Sequence, residues 1–382
     1  MGYSGGGPGG SGGPGGGSAQ GGNAYGAQGG GESGAGGGSG YRRVGGRNAN
    51  LNVNNITNRE GDGGTEIDGV VEINSTSHFI PPVGDTETRD GAGRGVFMGG
   101  SDPGSSSIID YVTIPQPGNA HDFGDLTVQR KFAGACASAT RGLLAGGYPN
   151  TPVITSLIDY VEILSKGDAV EFGNLEIPRA YLGGASNSVR GIFAGAWSPK
   201  TNAITYVTIA TRGDAQDFGD LTTVRQLDGG AGSPTRGMFF GGELDSPPGG
   251  GTNVIDYVNL QSLGDAIDFG DLQSANWGVG ACSNSTRGIA LGGNPQITRI
   301  EFVEIASKGN AADFGNLTGQ RGYTGGCASS VRGLSVGGRN PGAINAIDYM
   351  TIATQGNAHD FGELTDARLG IGAVSNTHGG IG

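Results

Sequence analysis

The chain has 382 residues, 82 of them glycine, and 23 lysines and arginines stand against 35 aspartates and glutamates, for a formal net charge of −12. That balance argues against nucleic-acid binding through phosphate neutralisation. Three cysteines and four histidines leave little room for a disulfide scaffold or a multi-ligand metal site. No apolar run is long enough to span a bilayer, and the first ten residues lack the basic and apolar regions of a secretory signal.

In chain order, the first 46 residues hold 24 of the glycines, with Tyr3, Tyr25, Tyr41, Val44 and a few alanines as nearly the whole apolar content. Such a segment cannot offset the entropy of ordering its own backbone. Residues 1–47 therefore read as a glycine-rich tail, flexible or packed only against partners, and 48–66 as a polar connector. Ile67-Asp-Gly-Val-Val-Glu-Ile73 and His78-Phe-Ile-Pro-Pro-Val83 then read as two short strands.

From Arg94 onward one unit recurs six times. Its first piece is Arg-Gly, three mostly apolar residues and Gly-Gly, beginning at Arg94, Arg141, Arg190, Arg236, Arg287 and Arg332. The second is Ile-Asp-Tyr-Val-Thr-Ile or a close variant, as in Ile109–Ile114. The third is Gly-Asn/Asp-Ala-x-Asp-Phe-Gly-Asp-Leu, centred on Phe123, Phe172, Phe218, Phe269, Phe314 and Phe361. The fourth opens with arginine (Arg130, Arg179, Arg225, Arg321, Arg368; Asn276 in one copy) and continues through small residues. β-branched and aromatic residues with period-two alternation predict a strand for each piece, glycines mark turns or close approaches, and no helical periodicity occurs. Four short strands per unit is the signature of a β-propeller blade.

The repeated arginines, phenylalanines and aspartates are expected to serve architecture, as recurrent positions do. Cys136, Cys282 and Cys327 occupy one equivalent place in the fourth piece and are expected to be buried, unpaired thiols. Spacing is nearly invariant except between Gly-Gly and the Ile-Asp-Tyr strand, where loops of 8, 10, 7, 12, 6 and 8 residues follow one another. Rotational repetition puts all six on one face. They carry the candidate ligand-contact residues: Tyr148 and Trp197, aromatics suited to stacking on carbohydrate or protein, with Lys200, Glu243, Asp245, Arg299 and Arg339. Against this stands loop-length drift where nothing constrains it. No catalytic constellation, cofactor site or metal site is expected, and no enzyme activity.

The pattern resembles the kelch family of propellers, with phenylalanine where kelch repeats carry tryptophan. Ile-Asp-Tyr-Val-Thr-Ile…Asp-Phe-Gly-Asp-Leu-Thr, with the terminal Ser-Asn-Thr-His-Gly-Gly-Ile-Gly, is similar to repeat proteins of marine bacteriophage virions, cyanophages especially. The resemblance implies a virion protein assembled in the host cytoplasm, a tail fibre or other surface-exposed propeller whose tail joins other virion proteins and whose loop face takes host glycan or protein. A homo-oligomer is compatible with it. A purely structural capsid decoration or tail scaffold protein is the alternative, and a polysaccharide-active enzyme a third. For the ring, residues 67–382 are expected to form an all-β, seven-bladed kelch-like propeller, its last blade closed by 67–83 together with 368–382. Six blades is the alternative count.

Overall fold

A computed structural model describes residues 93–150, 153–227, 229–245 and 250–381. The chain divides into two units, Met1–Asp85 and Thr86–Gly382, and every described residue belongs to the second. The glycine-rich tail, the connector and the expected strands at 67–83 lie outside the described residues.

The architecture is an all-β propeller of six antiparallel four-stranded sheets. Blade one holds β1 (Arg94–Met98), β2 (Ile108–Thr113) and β3 (His121–Asp125); blade two, β4 (Gly134–Ala137), β5 (Arg141–Ala145), β6 (Leu157–Glu162) and β7 (Val170–Asn174). Blade three follows with β8 (Gly183–Ser186), β9 (Arg190–Trp197), β10 (Lys200–Thr208) and β11 (Gln216–Asp220). In blade four, β12 (Arg225–Gln226) and β15 (Glu243–Leu244) form a short extra ladder beside β13 (Gly230–Gly232), β14 (Arg236–Phe240), β16 (Thr252–Asn259) and β17 (Ile267–Asn276). Blade five is β18 (Gly280–Ser283), β19 (Arg287–Leu291), β20 (Ile297–Glu304) and β21 (Ala312–Arg321). Blade six is β22 (Gly325–Ala328), β23 (Arg332–Val336), β24 (Ala346–Thr351) and β25 (His359–Glu363).

The last strand, β26 (Gly372–Ser375), corrects the expected blade count. It pairs antiparallel with β1, Gly95 opposite Ser375 and Met98 opposite Gly372, and so becomes the inner strand of blade one. The two ends of the repeat array therefore share one blade instead of adding a seventh. The ring is six-bladed because blade one lacks a fourth-piece strand of its own and the surplus strand at the other end fills that edge. Residues 377–381, expected within a further blade, form turns instead.

The apolar core consists of six wedges between blades. One wedge joins Val96, Ile109 and Phe123 of blade one to Leu144 and Val161 of blade two. The closing wedge joins Phe97 and Val112 of blade one to Leu334, Ile347 and Phe361 of blade six. Second strands face a neighbour on both sides, which is why Arg-Gly-Leu-Leu-Ala reads as a continuous apolar run. The repeated phenylalanines are at most 3 % exposed, and Phe123 meets Tyr111 edge-on at 6.0 Å.

Glycine after each of these phenylalanines is required by the next blade. A Cβ on Gly173 would sit 2.2 Å from the carbonyl oxygen of Gly213, and one on Gly362 would sit 2.3 Å from that of Gly118. Outer strands approach closely enough for Gly213 to donate its N–H to Phe172 O at 3.0 Å.

Candidate binding face

Antiparallel order divides the propeller into two faces. Turns joining inner to second strands, and third to outer strands, lie on one; the variable loops and the blade-to-blade connectors lie on the other. The described chain enters at Gly93 and leaves β26 on the first face, opposite the variable loops.

On that fixed face the first-piece arginines form a ring of bonds between blades. Arg141 of blade two donates to Ala210 O of blade three at 2.8 Å, and Arg190 of blade three donates to Leu260 O of blade four at 2.8 Å. Arg287 reaches Ile352 O at 2.9 Å, and Arg332 closes the circle on Pro115 O at 2.7 Å. Arg236 bonds Ile305 O in the same way. Each guanidinium also lies 4.7–4.8 Å from the aromatic ring on the third strand of its own blade, Tyr111 through Tyr349. A cavity of about 370 Å³ beside Arg236, Tyr257 and Asp265 is also on this face.

The connector arginines are buried on the variable side. Arg130 pairs with Asp159, and Arg225 with Asp256, each at 3.0 Å with no exposed side-chain surface. The same carboxylates accept from the hydroxyls of Thr127 and Thr222 on the preceding blade. Blade three exchanges these roles: Thr205 stands where the aspartate would be and accepts from Arg179 at 2.6 Å, while Glu176 takes the threonine place. Burial without an adjacent buried carboxylate pushes the Arg179 guanidinium down to about 10. Blade five substitutes Asn276 for the connector arginine, and Arg299 from the third strand pairs with Glu301 at 3.3 Å instead.

The other candidate contact residues are distributed around the loop face. Trp197 and Lys200 flank a tight hairpin, with the ammonium 3.9 Å from the indole ring and 2.6 Å from Asp245 of the next blade's loop. Glu243 accepts from Gln226 at 2.8 Å. Arg339 is exposed and donates to Pro341 O at 3.1 Å. Tyr148 is half-buried and edge-on to Tyr181 at 5.8 Å.

Between these loops lies a cluster that the repeat pattern does not mark. Two residues beyond each connector position stand Phe132, Tyr181, Leu227, Gly278, Tyr323 and Gly370, joined by backbone bonds into an open run about the axis from Gly278 round to Leu227. Tyr181 donates its N–H to Phe132 O at 2.7 Å, Leu227 to Tyr181 O at 3.1 Å, Tyr323 to Gly278 O at 2.7 Å, Gly370 to Tyr323 O at 3.0 Å, and Phe132 to Gly370 O at 2.9 Å. Phe132 stacks on Tyr181 with centroids 4.1 Å apart and meets Tyr323 edge-on at 5.5 Å. These half-buried rings occupy the axial mouth of the variable face. The available signal was glycine at two copies of this repeat position, Gly278 and Gly370, which marks a left-handed backbone that Leu227 alone of the six does not share.

The C-terminal turns fill the opposite end of the axis. His378 Nε2 donates to Ala137 O at 2.8 Å, its Nδ1 accepts from Gly380 N at 3.1 Å, and Gly379 donates to Ser283 O at 2.9 Å. Burial pushes the imidazole down to about 4. A cavity of about 40 Å³ beneath it is lined by small residues of the inner strands. Cys136, Cys282 and Cys327 are buried and unpaired, and burial raises all three thiols, Cys282 to about 12.

The fold and its two faces thus define a six-bladed β-propeller with one uniform and one variable face. Comparison with protein-family models finds no match, and comparison with curated proteins finds none either.

Proposed function

We propose that the protein is a phage virion component, a tail fibre or other surface-exposed propeller, that presents its variable loop face to a host receptor or surface glycan. The observation that carries this reading is the separation of faces: the described chain enters at Gly93 on the uniform face, and all six variable loops emerge on the opposite one. The six loops are thus gathered on a face of their own, apart from the one on which the described chain begins. Several loops, each binding modestly, gain avidity from copy number on a particle. The wording of the repeats and the chain's terminal motif supply the virion context.

Adsorption competition tests this reading. Purified full-length protein added to host cells before particles should lower adsorption, and Trp197→Ala with Arg339→Ala should weaken that effect. Unchanged adsorption, together with an internal location in imaged particles, would replace it with the second reading, a scaffold or decoration protein. The ties between neighbouring loops favour that alternative: Lys200 to Asp245, and Ser105 to Asn150 at 2.6 Å, hold the loops as a firm surface.

A further inference from the structure

The axial mouth contains a conformational choice that architecture alone does not require. Phe132, Tyr181 and Tyr323 have φ of 54°, 59° and 55°, in the left-handed region. Their equivalents Gly278 and Gly370 adopt φ of 62° and 63°. Glycine meets the backbone requirement without strain, whereas an L side chain there costs on the order of 1 kcal/mol per residue. Three bulky aromatics at the unfavourable positions therefore call for a reason residing in their side chains.

Their arrangement supplies one. The Phe132 ring lies over Gly370, where an added Cβ would come within 2.5 Å of it, and Tyr323 lies over Gly278. The rings thus gather above the two glycines, Tyr181 stacked on Phe132, Tyr323 edge-on to it and Tyr148 edge-on to Tyr181, and form one aromatic floor at the mouth. All keep part of their surface exposed. Lys131 is the nearby cation, 6.0 Å from the Phe132 ring, and it is engaged with Ser101 Oγ at 3.3 Å. The floor itself is uncharged, and the protein's net charge of −12 disfavours anionic ligands.

We propose that this axial floor binds a neutral hexopyranose ring of a glycan, stacked by its C–H face on the aromatic cluster of Phe132, Tyr181 and Tyr323. A pyranose matches the chemistry: one face is apolar and suits an aromatic surface, while its hydroxyls can exchange bonds with the polar loops around it. The preformed run of backbone bonds through Phe132, Tyr181 and Tyr323 holds the aromatics in place, so little ordering entropy opposes binding. This inference rests on the variable face being the contact face and names the ligand class taken at its centre.

The test uses saturation-transfer NMR on the full chain with methyl glucoside, methyl galactoside, methyl mannoside and N-acetylglucosamine as probes. At least one should receive saturation at its ring C–H protons. Phe132→Gly and Tyr323→Gly should each weaken it roughly tenfold while the fold persists, because glycine is native at two equivalent positions. Binding that survives both substitutions but is lost in Trp197→Ala would overturn the proposal and move the site to a loop. Silence from every sugar while the protein still competes for host adsorption would overturn the sugar assignment and leave the contact face standing. Binding of N-acetylphenylalaninamide with all sugars silent would replace the sugar with a protein ligand. Silence together with no competition would remove both readings.

Discussion

Arg368 and Asp110 lie 258 residues apart in sequence and form a buried ion pair across the closure of the ring. Thr365 adds its hydroxyl to the same carboxylate at 2.7 Å, so blade six is clasped to blade one as Thr127 and Arg130 clasp blade one to blade two. Burial raises the Asp110 carboxyl and lowers the Arg368 guanidinium, so desolvation outweighs attraction on both sides. Removing one partner leaves the other charge buried alone. Asp110→Ala should cost about 3–5 kcal/mol, and Asp110→Leu with Arg368→Met should recover most of it in chemical denaturation.

His378 makes stability depend on acidity. Its fold-imposed value of about 4 lies below its ordinary 6.5, so the folded state favours the neutral ring. Protonation would put a second N–H on Nδ1, facing the Gly380 N–H. Above pH 6.5 the group imposes no penalty. Stability falls by about 1.4 kcal/mol per pH unit between 6.5 and 4, roughly 3 kcal/mol in all. The difference in Tm between the wild type and His378→Gln should change across that window and be constant above it.

Closure by β26 sets what can be cut away. A chain beginning at Arg89 should unfold cooperatively as a soluble monomer, because among the described residues the closing wedge is built from Phe97, Val112 and their partners in blade six. Deleting residues from Gly370 onward removes the inner strand of blade one and should give an aggregating product in size-exclusion chromatography.

The exchanged acid and hydroxyl of blade three predict a stabilised variant. Glu176→Thr with Thr205→Asp restores the arrangement seen at Thr222, Arg225 and Asp256. It should raise stability by about 1 kcal/mol, the worth of a charge-assisted bond, and a lower Tm would show that the exchange suits its own surroundings.

Gly173→Ala and Gly319→Ala separate close approach from glycine content. The first would force a Cβ against the Gly213 carbonyl at 2.2 Å, whereas nothing lies within 4 Å of a Cβ on Gly319. We expect a loss of about 2 kcal/mol or more for Gly173→Ala, and a thermal shift near zero for Gly319→Ala.

What the sequence determined by itself was the repeating unit. Alternating Ile, Tyr and Val specify half-buried strands, Phe-Gly and Gly-Gly mark their ends, and constant spacing reveals which loops vary; these are local signals, repeated six times. The number of blades was not local. It depended on whether residues 372–375 would complete blade one or begin another, and an open edge at β1 settles that only when both ends meet. Arg299 reads as a loop residue in the sequence; in the fold it lies on β20 and pairs with Glu301 in the blade where Asn276 replaces the connector arginine. The aromatic floor was hidden for the same reason. Phe132, Tyr181 and Tyr323 are 49 and 142 residues apart, and only closure about a common axis brings their rings together.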